Sequence, residues 1–131
     1  MENNKLNLDY ILMFQKFFDT HNQNYKKRLW RLRTCMKYHK LDAFIIPRSD
    51  KYQNEFIQTR DERLLWISGF SGSSGICLVT LKSAYIFIDG RYKTQVNREV
   101  DTKLFCPIEI SKISFVEWLH SNLNNVRVGY D

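Results

Sequence analysis

Two apolar runs, Gly75-Ile-Cys-Leu-Val-Thr80 and Ala84-Tyr-Ile-Phe-Ile-Asp89, are separated by only Leu81-Lys82-Ser83. Runs of this length and composition read as strands, and so short a connection predicts a β-hairpin. An antiparallel pair in mid-chain must then be completed by elements from both sides of it.

Those elements alternate. A helix is expected over residues 25–39, where Leu29, Leu32 and Met36 recur at helical spacing with Tyr25 one turn earlier. A buried strand over 42–47 stops at Pro47. Residues 48–59 are polar and loop-like. A short helix begins at Asp61-Glu62, runs towards Trp66 and ends near Gly69. After the hairpin come a helix over 91–100, a strand over 103–107, a helix over 114–123 and a last strand over 126–130. The 114–123 helix carries Phe115, Trp118 and Leu119 on one side. Strands interleaved with helices, plus one hairpin, give an α/β chain with a mixed β-sheet flanked by helices.

Residues 1–24 form an N-terminal extension of different character. Tyr10, Ile11, Phe14, Phe17 and Phe18 fit a short amphipathic helix, and residues 20–24 read as a linker. The extension either docks on a partner or lies on its own domain, and the second reading is the simpler. The domain proper is expected over 25–131.

The length of 131 residues allows one domain. Hydrophobic residues at 44% and aromatics at 15% are enough for a packed core. No apolar run approaches the roughly 18 residues of a membrane span, and the N-terminus lacks the pattern of a secretory signal. Cys35, Cys77 and Cys106 are odd in number and widely spaced among apolar neighbours. They read as buried free thiols of a reducing compartment, so a cytoplasmic protein is expected. The net charge of +6 raises the question of nucleic acid. Lys26, Lys27, Arg28, Arg31, Arg33, Lys37 and Lys40 occupy the faces of the first helix that its apolar stripe leaves free. That is the pattern of a solvated helix, and no groove-reading motif accompanies it, so no nucleic-acid partner is expected.

Three constellations bear on chemistry. A hydrolytic metal centre needs several converging His, Asp, Glu or Cys side chains. His21, His39 and His120 are far apart, and no His-Glu-x-x-His or Cys-x-x-Cys spacing occurs, so no metal site is expected. The loop Gly69-Phe70-Ser71-Gly72-Ser73-Ser74-Gly75 could cradle an anion with backbone amides. It lacks the lysine of a P-loop, leads into a strand, and ends its Gly-x-Ser-x-Gly match in Ser73, so a tight turn that doubles as a contact surface fits better. Asp89-Gly90-Arg91-Tyr92 sits where a strand passes into a helix, a place where α/β folds present ligand-contacting groups. Arg91 could clamp a carboxylate or peptide carbonyl. The plainer alternative is an ion pair with Asp89, Asp61 or Glu62, and spacing alone favours it.

Taken together, these stretches resemble a known family. The order Ile45-Ile-Pro47, Asp50-x-x-Gln53-x-Glu55-Phe56, Asp61-Glu-Arg63-x-x-Trp66-x-Ser-Gly69-Phe70-Ser-Gly72-Ser73-x-Gly75 and Asp89-Gly-Arg-Tyr92-x-x-Gln95 is similar to aminopeptidase P. The match is to the N-terminal domain of its cytosolic three-domain members and covers roughly residues 25–131. It implies a creatinase/prolidase-type N-terminal domain, and a parent enzyme that removes the first residue of peptides with proline second. It also implies that two divalent metal ions, usually manganese, are held by Asp, Asp, His, Glu and Glu of a separate C-terminal domain. This chain would then be inactive alone, with the rest of its polypeptide, the peptide substrate and a homodimer mate as partners. In the family the arginine of Asp-Gly-Arg-Tyr contacts the bound peptide, which makes Arg91 the substrate-contacting candidate and reverses the preference for a mere ion pair. Phe70, Ser71, Gly72, Ser73, Asp50 and Tyr52 become candidates for the site mouth or an interface. Tyr52 stands where many relatives have histidine, and the apolar extension is outside the family pattern. A stand-alone peptide- or protein-binding module is the alternative.

Overall fold

The computed structural model describes residues 25–48 and 62–131. The expectations for the N-terminal extension, the 48–59 loop beyond Arg48, Asp50, Tyr52 and Asp61 lie outside the described residues.

The hairpin forms as expected: β2 (Ile76–Thr80) pairs antiparallel with β3 (Ala84–Ile88). Its connection is closed by the Thr80 amide on the Ser83 carbonyl at 2.8 Å and the Ser83 amide on Thr80 Oγ1 at 2.9 Å. On one side β1 (Ala43–Pro47) pairs antiparallel with β2, and β5 (Val128–Tyr130) lies parallel to β1. On the other side β4 (Cys106–Glu109) lies parallel to β3. The sheet order among the described residues is β4-β3-β2-β1-β5, a mixed sheet.

Strand alternation divides the core into two layers. Phe44, Ile46, Cys77, Val79, Ile86 and Ile88 face one side. There α1 (Tyr25–Tyr38), α2 (Arg63–Ser68) and α3 (Lys93–Glu99) cover them with Leu29, Leu32, Met36, Leu64, Ile67 and Val96. Ala43, Leu78 and Phe87 face the other side, where α4 (Phe115–Asn122) packs Phe115, Trp118 and Leu119 on them. Trp118 lies 4.5 Å from the Tyr85 ring and 5.3 Å from Phe87, centroid to centroid. A Ser114–Glu117 capping box starts α4, each side chain bonding the other's amide.

The basic residues of α1 are partly turned inward. Arg28 donates to the Trp66 carbonyl at 2.6 Å, with its guanidinium 4.9 Å from the Trp66 ring centroid. Arg33 donates from Nε to the Thr80 carbonyl at 2.8 Å. Part of the charge that stands out in the sequence therefore ties the first helix to its neighbours.

Two expectations need correction. The strand expected over 103–107 runs from Cys106 to Glu109. The residues before it are held in a turn by Asp101, whose carbonyl accepts from the Leu104 and Phe105 amides and whose side chain accepts from the Lys103 amide. Pro107 does not end the strand, because β4 is an edge and a missing donor can be tolerated there. The same edge position exposes Cys106, against the expectation of three buried thiols. Cys77 is buried and Cys35 half-buried, and burial pushes both thiols up from their ordinary values. Among the described residues no helix is long and apolar enough to cross a membrane.

Candidate functional site

The antiparallel register Ile76↔Phe87 decides where the site forms. It sets the loop that enters β2 beside the turn that leaves β3. The 69–75 loop and the Asp89-Gly-Arg-Tyr92 turn therefore meet at one end of the sheet, although some twenty residues separate them.

The turn is built on Asp89. Its Oδ1 accepts from the Arg91 amide at 2.9 Å, capping the 3₁₀ turn Gly90–Tyr92, and from Arg91 Nε at 3.2 Å. The amide hydrogen bond acts most strongly, against an opposing cost of burial and with help from the guanidinium, and the Asp89 carboxyl is held below its usual range. Asp89 is thus an ionic partner of Arg91, but the pairing uses Nε and leaves the Arg91 side chain 75% exposed. Asp61, another of the three considered, lies outside the described residues. A guanidinium has two further NH₂ groups for a second acceptor. Its carbon lies 5.6 Å from the centroid of the Tyr92 ring.

Tyr92 links the turn to the loop. Its hydroxyl is hydrogen-bonded to Ser73 Oγ, and its ring meets Phe70 edge-on at 5.7 Å. Phe70 is a core residue, 1% exposed. It is the floor of the loop and offers no surface to a ligand. Gly72 lies over it, and a Cβ there would come within 2.1 Å of Phe70 Cζ. Gly69 closes α2 in the left-handed conformation, with φ of 82°. Ser71 and Ser73 remain exposed at the crest.

The loop is fastened on its other side by α3. Glu99 accepts from the Ser71 amide through Oε2 at 2.9 Å and from Ser71 Oγ through Oε1 at 2.7 Å. Gln95 Nε2 donates to Ser71 Oγ at 3.0 Å and to Glu99 Oε1 at 3.2 Å. Burial pushes the Glu99 carboxyl up, but the hydrogen bonds from Ser71 and Gln95 and the nearby Arg98 charge outweigh it and hold the group below its ordinary value. Glu99 was not among the sequence candidates. Its signal was modest: Gln95 and Glu99 are four apart and share a helix face. Arg48 donates to the Ser73 carbonyl at 3.1 Å.

A small cavity beside the loop is lined by Arg48, Glu62, Leu64, Leu65, Phe70 and Ser71. Its volume of about 10 Å³ is what a single water would fill. Among the described residues no group of three or more His, Cys, Asp or Glu could hold a metal ion. A di-nuclear metal centre does not fit them.

A family model described as the creatinase/prolidase N-terminal domain matches residues 28–131. The chain belongs to that family. The domain is 40% identical over 104 residues to human Xaa-Pro aminopeptidase 2, covering 79% of this chain and 15% of that protein. It is 39% identical over 108 residues to Xaa-Pro aminopeptidase 1 of Dictyostelium discoideum, covering 80% of this chain and 17% of that one. The chain thus spans about one sixth of the length of these curated relatives. Among solved structures, X-prolyl aminopeptidase from Caenorhabditis elegans, described as a cytosolic enzyme with a di-nuclear active site, matches with a TM-score of 0.74 and 26% identity. That match covers 83% of this chain and 20% of the nematode enzyme. A creatinase/prolidase-like N-terminal domain from Corynebacterium diphtheriae matches with a TM-score of 0.60 and 22% identity, over 83% of this chain and 77% of that one. The expected fold, a mixed sheet flanked by helices of the creatinase/prolidase N-terminal type, is the one found.

Proposed function

We propose that this chain is the non-catalytic N-terminal domain of a metal-dependent Xaa-Pro aminopeptidase, and that Arg91 is its contact with the peptide substrate. The observation that carries the reading is the state of Arg91. Its backbone and Nε are fixed by Asp89, its ring neighbour Tyr92 is fixed by Ser73 and Phe70, and three quarters of its side chain still faces solvent. A cation held so firmly yet left so open is poised for an acceptor from outside the domain, such as a peptide carbonyl or carboxylate. Ser71 and Ser73 are exposed on the loop that Tyr92 ties to this turn, and Gly72, buried between them, belongs to the same reading as the loop's support. Asp50 and Tyr52 belong to the same reading by family resemblance alone.

The hydrolytic machinery, with two divalent ions of which manganese is the expected kind, belongs in this reading to another domain of the same polypeptide. The kinship with Xaa-Pro aminopeptidases supports this, as does the misfit between a di-nuclear centre and the residues described here. What the domain contributes is peptide placement, hence specificity and affinity more than rate. A cytoplasmic location follows the nematode enzyme's description as cytosolic.

The test is Arg91→Ala and Arg91→Lys in the product of the uninterrupted reading frame, assayed on an Xaa-Pro peptide. Loss of a charge-assisted contact of about 1.5–3 kcal/mol raises KM roughly ten- to a hundredfold, with kcat much less affected. Lysine, lacking the planar fork, restores only part of it. An unchanged KM in Arg91→Ala contradicts the reading.

A further inference from the structure

We infer that Glu99, assisted by Gln95, is a positioning residue for Arg91; the inference rests on the reading of Arg91 as the peptide contact. The connection can be followed atom by atom. Both oxygens of one carboxylate hold Ser71, Oε2 through the amide at 2.9 Å and Oε1 through the hydroxyl at 2.7 Å. Gln95 bonds the same hydroxyl and the same Oε1, at 3.0 and 3.2 Å, so the grip is closed on three sides. Two residues on, Ser73 Oγ is bonded to the Tyr92 hydroxyl, and the Arg91 guanidinium lies 5.6 Å from the Tyr92 ring centroid.

Glu99 has no direct contact with Arg91. It fixes the loop, the loop fixes Tyr92, and the Tyr92 ring, together with the Asp89 carboxylate on Nε, orients the guanidinium. The glycines explain why a clamp is needed. Gly69, Gly72 and Gly75 give the loop close approach to its neighbours but little stiffness of its own. A loop of that composition keeps one shape only if something outside it imposes that shape. The carboxylate sits at the C-terminal end of α3, where the helix dipole disfavours negative charge. An acid in so unfavourable a place, with both oxygens turned onto one serine, is accounted for by what it holds.

The test is a double-mutant cycle in the product of the uninterrupted reading frame. Glu99→Ala, Arg91→Ala and the double variant are assayed on an Xaa-Pro peptide, with thermal midpoints recorded alongside. Glu99→Ala is expected to raise KM roughly three- to tenfold with kcat within about twofold, because uniform binding is lost and chemistry is untouched. In the Arg91→Ala background the same substitution is expected to have no further effect on KM, since its route to the substrate is gone. Ser71→Ala, which removes only the hydroxyl, carries the same expectation at smaller size and serves if Glu99→Ala does not fold.

Unchanged KM in Glu99→Ala, or a KM effect that multiplies independently with that of Arg91→Ala, overturns the positioning role and leaves Arg91 as the contact. A silent Arg91→Ala overturns the site reading itself, and the positioning role with it.

Discussion

Arg63 Nε stands 2.5 Å from Asp131 Oδ2, and the two side chains are only 11% and 6% exposed. The pair joins the start of α2 to the end of β5, where the Asp131 amide also bonds the Ile45 carbonyl at 2.9 Å. A charge pair this dry is costly to break from one side. Arg63→Met should destabilise the domain by roughly 3–5 kcal/mol in urea unfolding, because it removes the charged half of a buried ion pair. Arg91→Ala, which removes the exposed cation of the Asp89 pair, should leave the unfolding midpoint where it is. Equal losses from the two substitutions would contradict the distinction between a structural and a substrate-facing arginine.

Gly72 offers a second contrast. A methyl group there meets the Phe70 ring at 2.1 Å, while among the described residues one at Gly90 meets nothing nearer than Glu109 Oε2 at 3.8 Å. Gly72→Ala must displace a buried ring and should cost roughly 1–3 kcal/mol. Gly90→Ala should be tolerated. A neutral Gly72→Ala would show that the loop does not rest on Phe70 as described.

Glu99 gives the acid limb of stability a measurable component. Its folded-state carboxyl lies below the ordinary value of 4.5, so its stabilising effect is present above that pH. The effect is lost as pH falls through the lower folded value. Glu99→Gln has no proton to gain there, so it should be less stable than wild type at pH 7 and flatter in its thermal midpoint below pH 4.5. Parallel acid limbs for the two proteins would contradict the assignment.

Legibility in the sequence followed the range of the physics involved. The hairpin and α1 could be read because their signals are local: apolar runs, a short connection, and Leu29, Leu32 and Met36 at helical spacing. Gly69 as the end of α2 could be read for the same reason. β4 differs from the strand expected over 103–107 because Asp101 folds the residues before Cys106 into a turn and because the pairing with β3, which reaches Ile88↔Glu109, is long-range. Cys106 has the apolar neighbours of a buried thiol, and only its place on the edge strand exposes it. Arg91 and the glycine loop stand out by position, at a strand end and in a glycine-rich turn, but spacing alone favours an ordinary ion pair and only the family resemblance reverses that preference. Glu99 escaped altogether, because what marks it is Ser71, 28 residues away and brought near by the register of β2 on β3.

The central claim is that this chain assists a catalyst housed elsewhere in its polypeptide. The most direct test is hydrolysis of an Xaa-Pro peptide with added manganese, comparing the 131-residue chain with the product of the uninterrupted reading frame. Cleavage by the longer protein alone is the expected result. Robust cleavage by the short chain, surviving purification controls and abolished by a chelator, would contradict the account and place a metal site within these residues.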